Sequence, residues 1–172
     1  MLNVSKYEAG ELTLSTEDFD VLPVIVQTLM NFEKRIEEKH IDIQGLDTDA
    51  FRLNADPDLT QQVIYNLVEN AVKFVNDGGY ISFSFKDEPD GMRSISIRNS
   101  GDGLNEKEIS KVFERFYKTD ESRGIDPGGV GLGLSIVSLI IKLHDGTILV
   151  SSEPNQYTEF TFALKKAVND RR

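Results

Sequence analysis

The sequence predicts an α+β fold. The expected architecture is a two-layer α/β sandwich in which about three helices cover one face of a mixed, mostly antiparallel sheet. Three observations lead there. Segments with strand period pair up across short turns: "YISFSF" and "RSISIRN" flank "DEPDG", and "TILVSS" and "EFTFAL" flank Pro154-Asn155. Segments with helix period lie between them. Strands and helices do not alternate as repeating βαβ units, which argues against a doubly wound sheet. The 172 residues, 39% hydrophobic and 28% charged, suffice for one domain with one core.

Each element follows from local chemistry. "MLNVSKYEA" reads as the end of a helix that Gly10 terminates, and "ELTLSTEDFDV" as an extended piece. A helix is expected from about Pro23 to Lys39, because Pro suits a first turn; Ile25, Val26, Leu29, Met30 and Ile36 would form its apolar face. "HIDIQ", opened by His40, and "AFRLNADPD" contain short strands. Asp56-Pro57-Asp58 is a strong helix start, and that helix runs to about Val75 before Gly78-Gly79. After the first hairpin and the "SGDGL" loop, a short helix spans about Glu106 to Phe116. The polar segment Thr119 to Gly129 lacks periodicity and reads as a mobile loop. The last helix follows, with apolar positions Leu132, Ile136, Leu139, Ile140 and Leu143. The tail "KKAVNDRR" is expected to be frayed.

Bulk properties narrow the chemistry. Cysteine is absent, so neither a disulfide framework nor thiolate catalysis is available. No apolar run approaches the roughly 18 residues of a membrane span, and no signal-peptide pattern opens the chain. A net charge of −10 disfavours a nucleic-acid binder. His40 and His144 lack metal-ligand spacing; His144 falls at a helix end, where an imidazolium would suit the negative pole.

Four stretches carry possible chemistry. "GGVGLGLSIV" puts Gly128, Gly129, Gly131 and Gly133 at the start of an apolar helix. Glycine is a poor helix former, yet it bares backbone N–H groups at a pole that attracts phosphate; a plain flexible loop reads equally well from this stretch alone. In "DLTQQVIYNLVENAVKFV" the apolar residues cover an arc of about 200°, and Gln62, Asn66, Asn70 and Lys73 occupy the other face. Asparagine weakens helices, so this stripe suits either a solvated face or a site where neutral amide oxygens ligate Mg²⁺ and a lysine meets phosphate. "IRNSGDGLN" ends a strand with N-x-G-x-G, where glycines let a flat ligand lie close and Asn99 offers both donor and acceptor. "KVFERFYKTDESRG" reads as aromatic core with solvated charges, or as a lid with cations for phosphates.

In that order the motifs resemble the ATP-binding catalytic domain (Bergerat fold) of bacterial two-component sensor histidine kinases, within the superfamily of gyrase, Hsp90 and MutL ATPases. "NLVENAVKF" matches the N box, "NSGDGL" the first glycine box, "FERFYKTDESRG" the F box and lid, "GGVGLGLSIV" the second glycine box, and "TEFTFAL" the strand that carries the third. The resemblance covers about residues 1 to 165. It implies that residues 1–10 are the end of a dimerisation helix with its linker, that 11–165 are the catalytic domain, and that 166–172 are a disordered tail. It implies ATP and Mg²⁺ as cofactors, with Asn70 as the metal ligand and Asn66 beside it. Lys73, Tyr117, Lys118 and Arg123 would approach the phosphates; Gly129, Gly131, Leu132, Gly133 and Leu134 would cradle them. Asn99, Gly101, Gly103, Leu104 and Thr158 would border the adenine.

Three departures from the family pattern stand out. Asn99 replaces the usual adenine-reading aspartate, keeping an acceptor but losing charge. Tyr157-Thr158 replaces a Gly-Thr pair. Asn66 stands where gyrase-type enzymes hold a catalytic glutamate, which argues for phosphoryl transfer over hydrolysis. The resemblance further implies a histidine kinase whose acceptor histidine lies outside this chain, so that the chain alone does not autophosphorylate. Its partners would be the dimerisation and histidine-phosphotransfer domain of the same protein and a response regulator. The chain would be monomeric, soluble and cytoplasmic, and the whole protein a homodimer anchored in the bacterial inner membrane. A serine protein kinase of the anti-sigma-factor type and a degenerate nucleotide-binding interaction module are the alternatives.

Overall fold

The structure is a computed structural model that describes residues 13–114, 117 and 133–170. Strand β1 (Glu17–Asp20) is followed by helices α1 (Leu22–Asn31) and α2 (Glu33–Glu38), then by β2 (Asp42–Gln44) and β3 (Arg52–Ala55). Helix α3 (Pro57–Phe74) leads into the hairpin β4 (Tyr80–Glu88) and β5 (Met92–Ser100), turned at Pro89–Gly91. The short α4 (Glu106–Ile109), α5 (Gly133–Leu143), β6 (Thr147–Glu153) and β7 (Tyr157–Lys165) complete the order. The main sheet runs β2-β4-β5-β7-β6; β2–β4 is parallel and the other pairs are antiparallel, as expected. Strands β1 and β3 form a second, two-stranded sheet.

The core lies between the five-stranded sheet and helices α1, α3 and α5. Ile81, Phe83, Ile95, Ile97, Phe160 and Phe162 face inward from the strands, against Ile25, Ile64, Leu67, Val68, Val137 and Ile141. Strand alternation puts these residues on one face and leaves polar positions such as Ser96 and Thr161 on the other.

Several local expectations need correction. The helix expected over Pro23–Lys39 breaks at Phe32, where φ is −111° and ψ 10°. The break turns Phe32 inward, and its ring centroid lies 5.3 Å from that of Tyr65. Ile25 and Thr28 are the buried positions of α1, the Thr28 hydroxyl donating to the Val24 carbonyl; Val26 and Met30 are exposed. His40 sits in a left-handed turn (φ 54°) before β2, not in the strand. In α5 the buried face is Ser135, Val137, Ser138, Ile140 and Ile141. The helix is apolar nearly all round, so two faces compete, and the one carrying small serines packs inward. The short helix expected to reach Phe116 ends at Ile109. Residues 1–10, the loop Thr119–Gly129, and the residues Arg171 and Arg172 lie outside the described residues.

The tail expected to be disordered is docked through Asp170. Lys166 bridges to Leu53, and Ala167 is buried. The Asp18 carboxylate accepts the backbone N–H groups of Val168 and Asn169, both at 3.0 Å, and the side-chain amide of Asn54. Arg93, 5% exposed at an inward position of β5, donates through Nε to Asp87 (2.7 Å) and through a terminal nitrogen to Asp170 (2.9 Å). Polar pairing thus orders a segment whose own residues bury little apolar surface.

This docking carries a pH signature. The Asn54 amide, then the N–H groups of Asn169 and Val168, hold Asp18 below its ordinary range. Partial burial opposes the same shift at Asp170, but the charge and hydrogen bond of Arg93, with Lys166, outweigh it. A lowered folded pKa adds stability above the ordinary carboxylate value, and that stability is lost as pH falls through the folded value, so undocking is expected only below about pH 4. The amide chemical shifts of Val168 and Asn169 should titrate together with a midpoint under that value; a midpoint at or above it would contradict the assignment.

Candidate functional site

Helix α3 organises the site. Asp56 caps it, accepting the Leu59 N–H (3.1 Å), and Pro57 supplies a first turn that needs no donor. Val63, Ile64, Leu67, Val68, Ala71 and Val72 are buried. The opposite stripe, Gln62, Asn66, Asn70 and Lys73, is half-buried, so other elements flank it and it is not an open solvated face. Gln62 donates its amide N–H to Asn66 Oδ1 (2.9 Å), and Asn66 Nδ2 donates to the carbonyl of Gly133 (3.1 Å). The first residue of α5 is thereby tied to the asparagine stripe. At the other end of α3 the Lys39 ammonium donates to the carbonyls of Val72, Lys73 and Val75, capping the helix with a cation.

The end of β5 closes on that same helix terminus. Gly101 has φ +150°, and a Cβ there would stand 2.6 Å from the Phe74 carbonyl oxygen. Gly103 has φ +72°, and a Cβ there would stand 2.6 Å from the Glu153 carbonyl. Both positions therefore require glycine for fit as well as for conformation. Asn99 is 3% exposed and faces inward in register with Ile97 and Ile95. The row Ile81–Asn99–Thr158–Ser152 crosses four strands. Asn99 Nδ2 donates to the Ser100 carbonyl (3.0 Å), which turns its amide oxygen the other way. Ser152 Oγ accepts the Leu104 N–H (2.7 Å), donates to the Tyr157 carbonyl (2.7 Å) and lies 3.4 Å from Thr158 Oγ1. The loop after β5 is thus pinned to the β6–β7 hairpin.

Tyr157 leaves Thr158 in place. Strand alternation sends Tyr157 to the outer sheet face, where the Arg98 guanidinium lies 3.7 Å from its ring centroid, while Thr158 stays inward and 7% exposed. Burial opposes the upward shift of the Arg98 pKa, but the hydrogen bond and charge of Glu159, 2.9 Å away, prevail.

The described site residues thus fall into connected groups: Asn66, Asn70 and Lys73 on α3; Gly133 and Leu134 at the start of α5; Asn99, Gly101, Gly103 and Leu104 at the end of β5; and Thr158 on β7. Phe113 packs edge-on against Phe160, and Tyr117 packs against the core beyond it. Lys118, Arg123, Gly129, Gly131 and Leu132 lie outside the described residues. Sequence reasoning missed Lys39, Ser100 and Ser152, each of which makes several hydrogen bonds, most of them to partners distant in the chain, that no periodicity announces. It also missed the long-range contact of His144. That ring is 6% exposed; Nε2 accepts the Asp56 N–H (3.1 Å) and Nδ1 donates to the Ile140 carbonyl (2.8 Å). It stands at the end of α5, as expected, and ties that helix to the cap of α3.

A family model described as "Histidine kinase-, DNA gyrase B-, and HSP90-like ATPase" matches residues 55–168. The chain belongs to this family. Within it the relatives are sensor kinases. The chain is 31% identical to the sensor histidine kinase WalK of Bacillus subtilis over 95% of its own length and 27% of that protein, and 32% identical to the sensor protein GacS of Pseudomonas syringae over 99% of its own length and 20% of that protein. It therefore spans about a quarter of those relatives. Its fold matches the nucleotide-free catalytic domain of the histidine kinase ThkA with a TM-score of 0.75 at 28% identity, covering 91% of this chain and 99% of that one. It also matches full-length ShkA solved with AMPPNP, with a TM-score of 0.78 at 28% identity, covering 91% of this chain and 32% of that one. By sequence and by fold, this member of the family is a histidine kinase catalytic domain. Among the described residues no helix is long and apolar enough to cross a membrane.

Proposed function

We propose that this chain binds Mg-ATP and presents the γ-phosphoryl group to a histidine on a dimerisation domain of the same protein, for onward transfer to a response regulator. The hydrogen bond from Asn66 to the Gly133 carbonyl carries this reading. It joins an asparagine stripe to the helix that follows the glycine-rich segment, and so makes one anion-binding end from two motifs far apart in sequence. In support, ShkA was solved with AMPPNP, and ThkA was solved in complex with the response regulator TrrA.

The residue roles follow from their chemistry. Asn70 supplies a hard, neutral oxygen for Mg²⁺, and the metal when bound neutralises phosphate charge. Asn66, Lys73, Tyr117, Lys118 and Arg123 serve the phosphates; backbone N–H groups of Gly129, Gly131, Leu132, Gly133 and Leu134 hold the phosphate tail. Asn99 accepts from the adenine amino group, Thr158 floors the pocket, and Gly101, Gly103 and Leu104 line its edge. The acceptor histidine belongs to the dimerisation domain; His144 has both ring nitrogens engaged. Residues 1–10 are assigned to the end of a dimerisation helix and its linker. The whole protein is taken to be a membrane-anchored homodimer.

The test is calorimetric titration with ADP and with a non-hydrolysable ATP analogue, with and without Mg²⁺. Binding in the micromolar to low-millimolar range, strengthened by Mg²⁺, is expected. Asn70→Ala should remove the Mg²⁺ enhancement, weakening binding about tenfold, the worth of one charge-assisted contact. No binding by the unsubstituted chain would overturn the reading.

A further inference from the structure

Gln62 shares the polar stripe of α3 and has no role in the site as described above. Its amide N–H reaches Asn66 Oδ1 at 2.9 Å, one helical turn away. A side-chain amide has two ends of nearly equal shape and opposite polarity, and its partners decide which end points where. The Gly133 carbonyl can only accept and so draws Nδ2 toward α5, and the Gln62 N–H, by filling Oδ1, reinforces that orientation. One Nδ2 hydrogen goes to the Gly133 carbonyl at 3.1 Å. The second remains to serve an acceptor at the same helix start.

We infer that Gln62 is a positioning residue that helps to set the polarity of Asn66, so that Asn66 meets the phosphate end of a nucleotide as a donor. This rests on the nucleotide-binding reading above. Gln62 itself touches no phosphate. It adds to the preference set by the Gly133 carbonyl against the inverted amide, in which Oδ1 would face both that carbonyl and the incoming phosphate oxygens. The effect is therefore confined to ligands that carry phosphate.

The experiment pairs Gln62→Met, similar in length but unable to donate, with Gln62→Glu, which can only accept and so draws Nδ2 away from Gly133. Affinities for adenosine, ADP and a non-hydrolysable ATP analogue are measured for each, alone and combined with Asn66→Ala. Gln62→Met should weaken ADP and the analogue about three- to tenfold, the worth of one neutral hydrogen bond, and leave adenosine within about twofold. Gln62→Glu should weaken them further. In the Asn66→Ala background Gln62→Met should have no effect, whereas a simple charge effect of Gln62→Glu would persist there. Equal losses for adenosine and ADP, or an undiminished Gln62→Met effect without Asn66, would overturn the inference. The tie is also read without ligand. Gln62→Met should speed amide exchange at Val137, whose N–H is the helical partner of the Gly133 carbonyl; unchanged exchange would sink the inference even where nucleotide binds. Accelerated exchange in a chain that binds no nucleotide would overturn the ATP reading instead, and with it the phosphate role, leaving Gln62 a purely structural tie.

Discussion

Arg93→Met should destabilise the domain by about 3 kcal/mol, lowering the melting temperature by roughly 6–12 °C. The guanidinium is buried and serves four partners: Asp87, Asp170, the Arg52 carbonyl, and the face of Phe51 4.8 Å away. Methionine refills much of the volume but satisfies none of the polar groups. The effect should fall at the low end for a broken buried pair, because Asp87 is 62% exposed and regains water, while Asp170 is 17% exposed and regains less. Arg93→Lys keeps one charge but cannot span two carboxylates and should recover less than half of the loss. Urea unfolding measures both. A loss under 1 kcal/mol for Arg93→Met would mean that the Arg93 pairings with Asp87 and Asp170 contribute little to the folded state.

Gly101→Ala should be about as damaging, roughly 3 kcal/mol, for a different reason. An L-residue at φ +150° is strained, and its Cβ would meet the Phe74 carbonyl at 2.6 Å. The carbonyl is backbone and the Cβ is fixed rigidly to backbone, so neither can step aside cheaply. The end of β5 would have to leave the terminus of α3, taking the Asn99 amide with it, so nucleotide affinity should fall together with stability. Gly78→Ala is the control. Its φ is +73° with nothing within 4 Å of the added Cβ, so it should show strain alone, about 1 kcal/mol. Equal losses at the two positions would show that the close approach of β5 to α3 is not what Gly101 provides.

Much of this architecture is legible in the sequence because alternation and capping are local. The two hairpins, the Asp56-Pro57 start of α3 and the polar stripe on its far side need only near neighbours to be read. The asparagines point to a site because a solvated helix face has no reason to prefer them. What was hidden depends on partners distant in the chain. Arg93 looks like an ordinary strand-end charge until Asp170 and Phe51 arrive beside it. The tail looks disordered by composition, since hydrogen bonds to Asp18, not apolar burial, order it. Val26 and Met30 fit the period of a longer helix, but the turn at Phe32 spends the inward position on an aromatic. Thr158 could be confirmed as inward-facing only once β7 was paired, because the side on which Tyr157 falls is a matter of register.

One residue ties the segment before β1 to the two helices that carry candidate site residues. Asp56 Oδ1 caps α3 through Leu59, while Oδ2 accepts the N–H of Ser15 at 3.0 Å, and the Asp56 N–H itself rests on His144 at the far end of α5. The segment at residue 15 and helices α3 and α5 therefore meet at a single residue. Displacement of the segment before β1 would load Asp56, which stands between a helix whose later turns carry Asn66 and Asn70 and a helix whose first residue accepts from Asn66. Under the proposed function, Asp56 is the joint through which movement of the preceding segment would be felt as a change in grip on the phosphates.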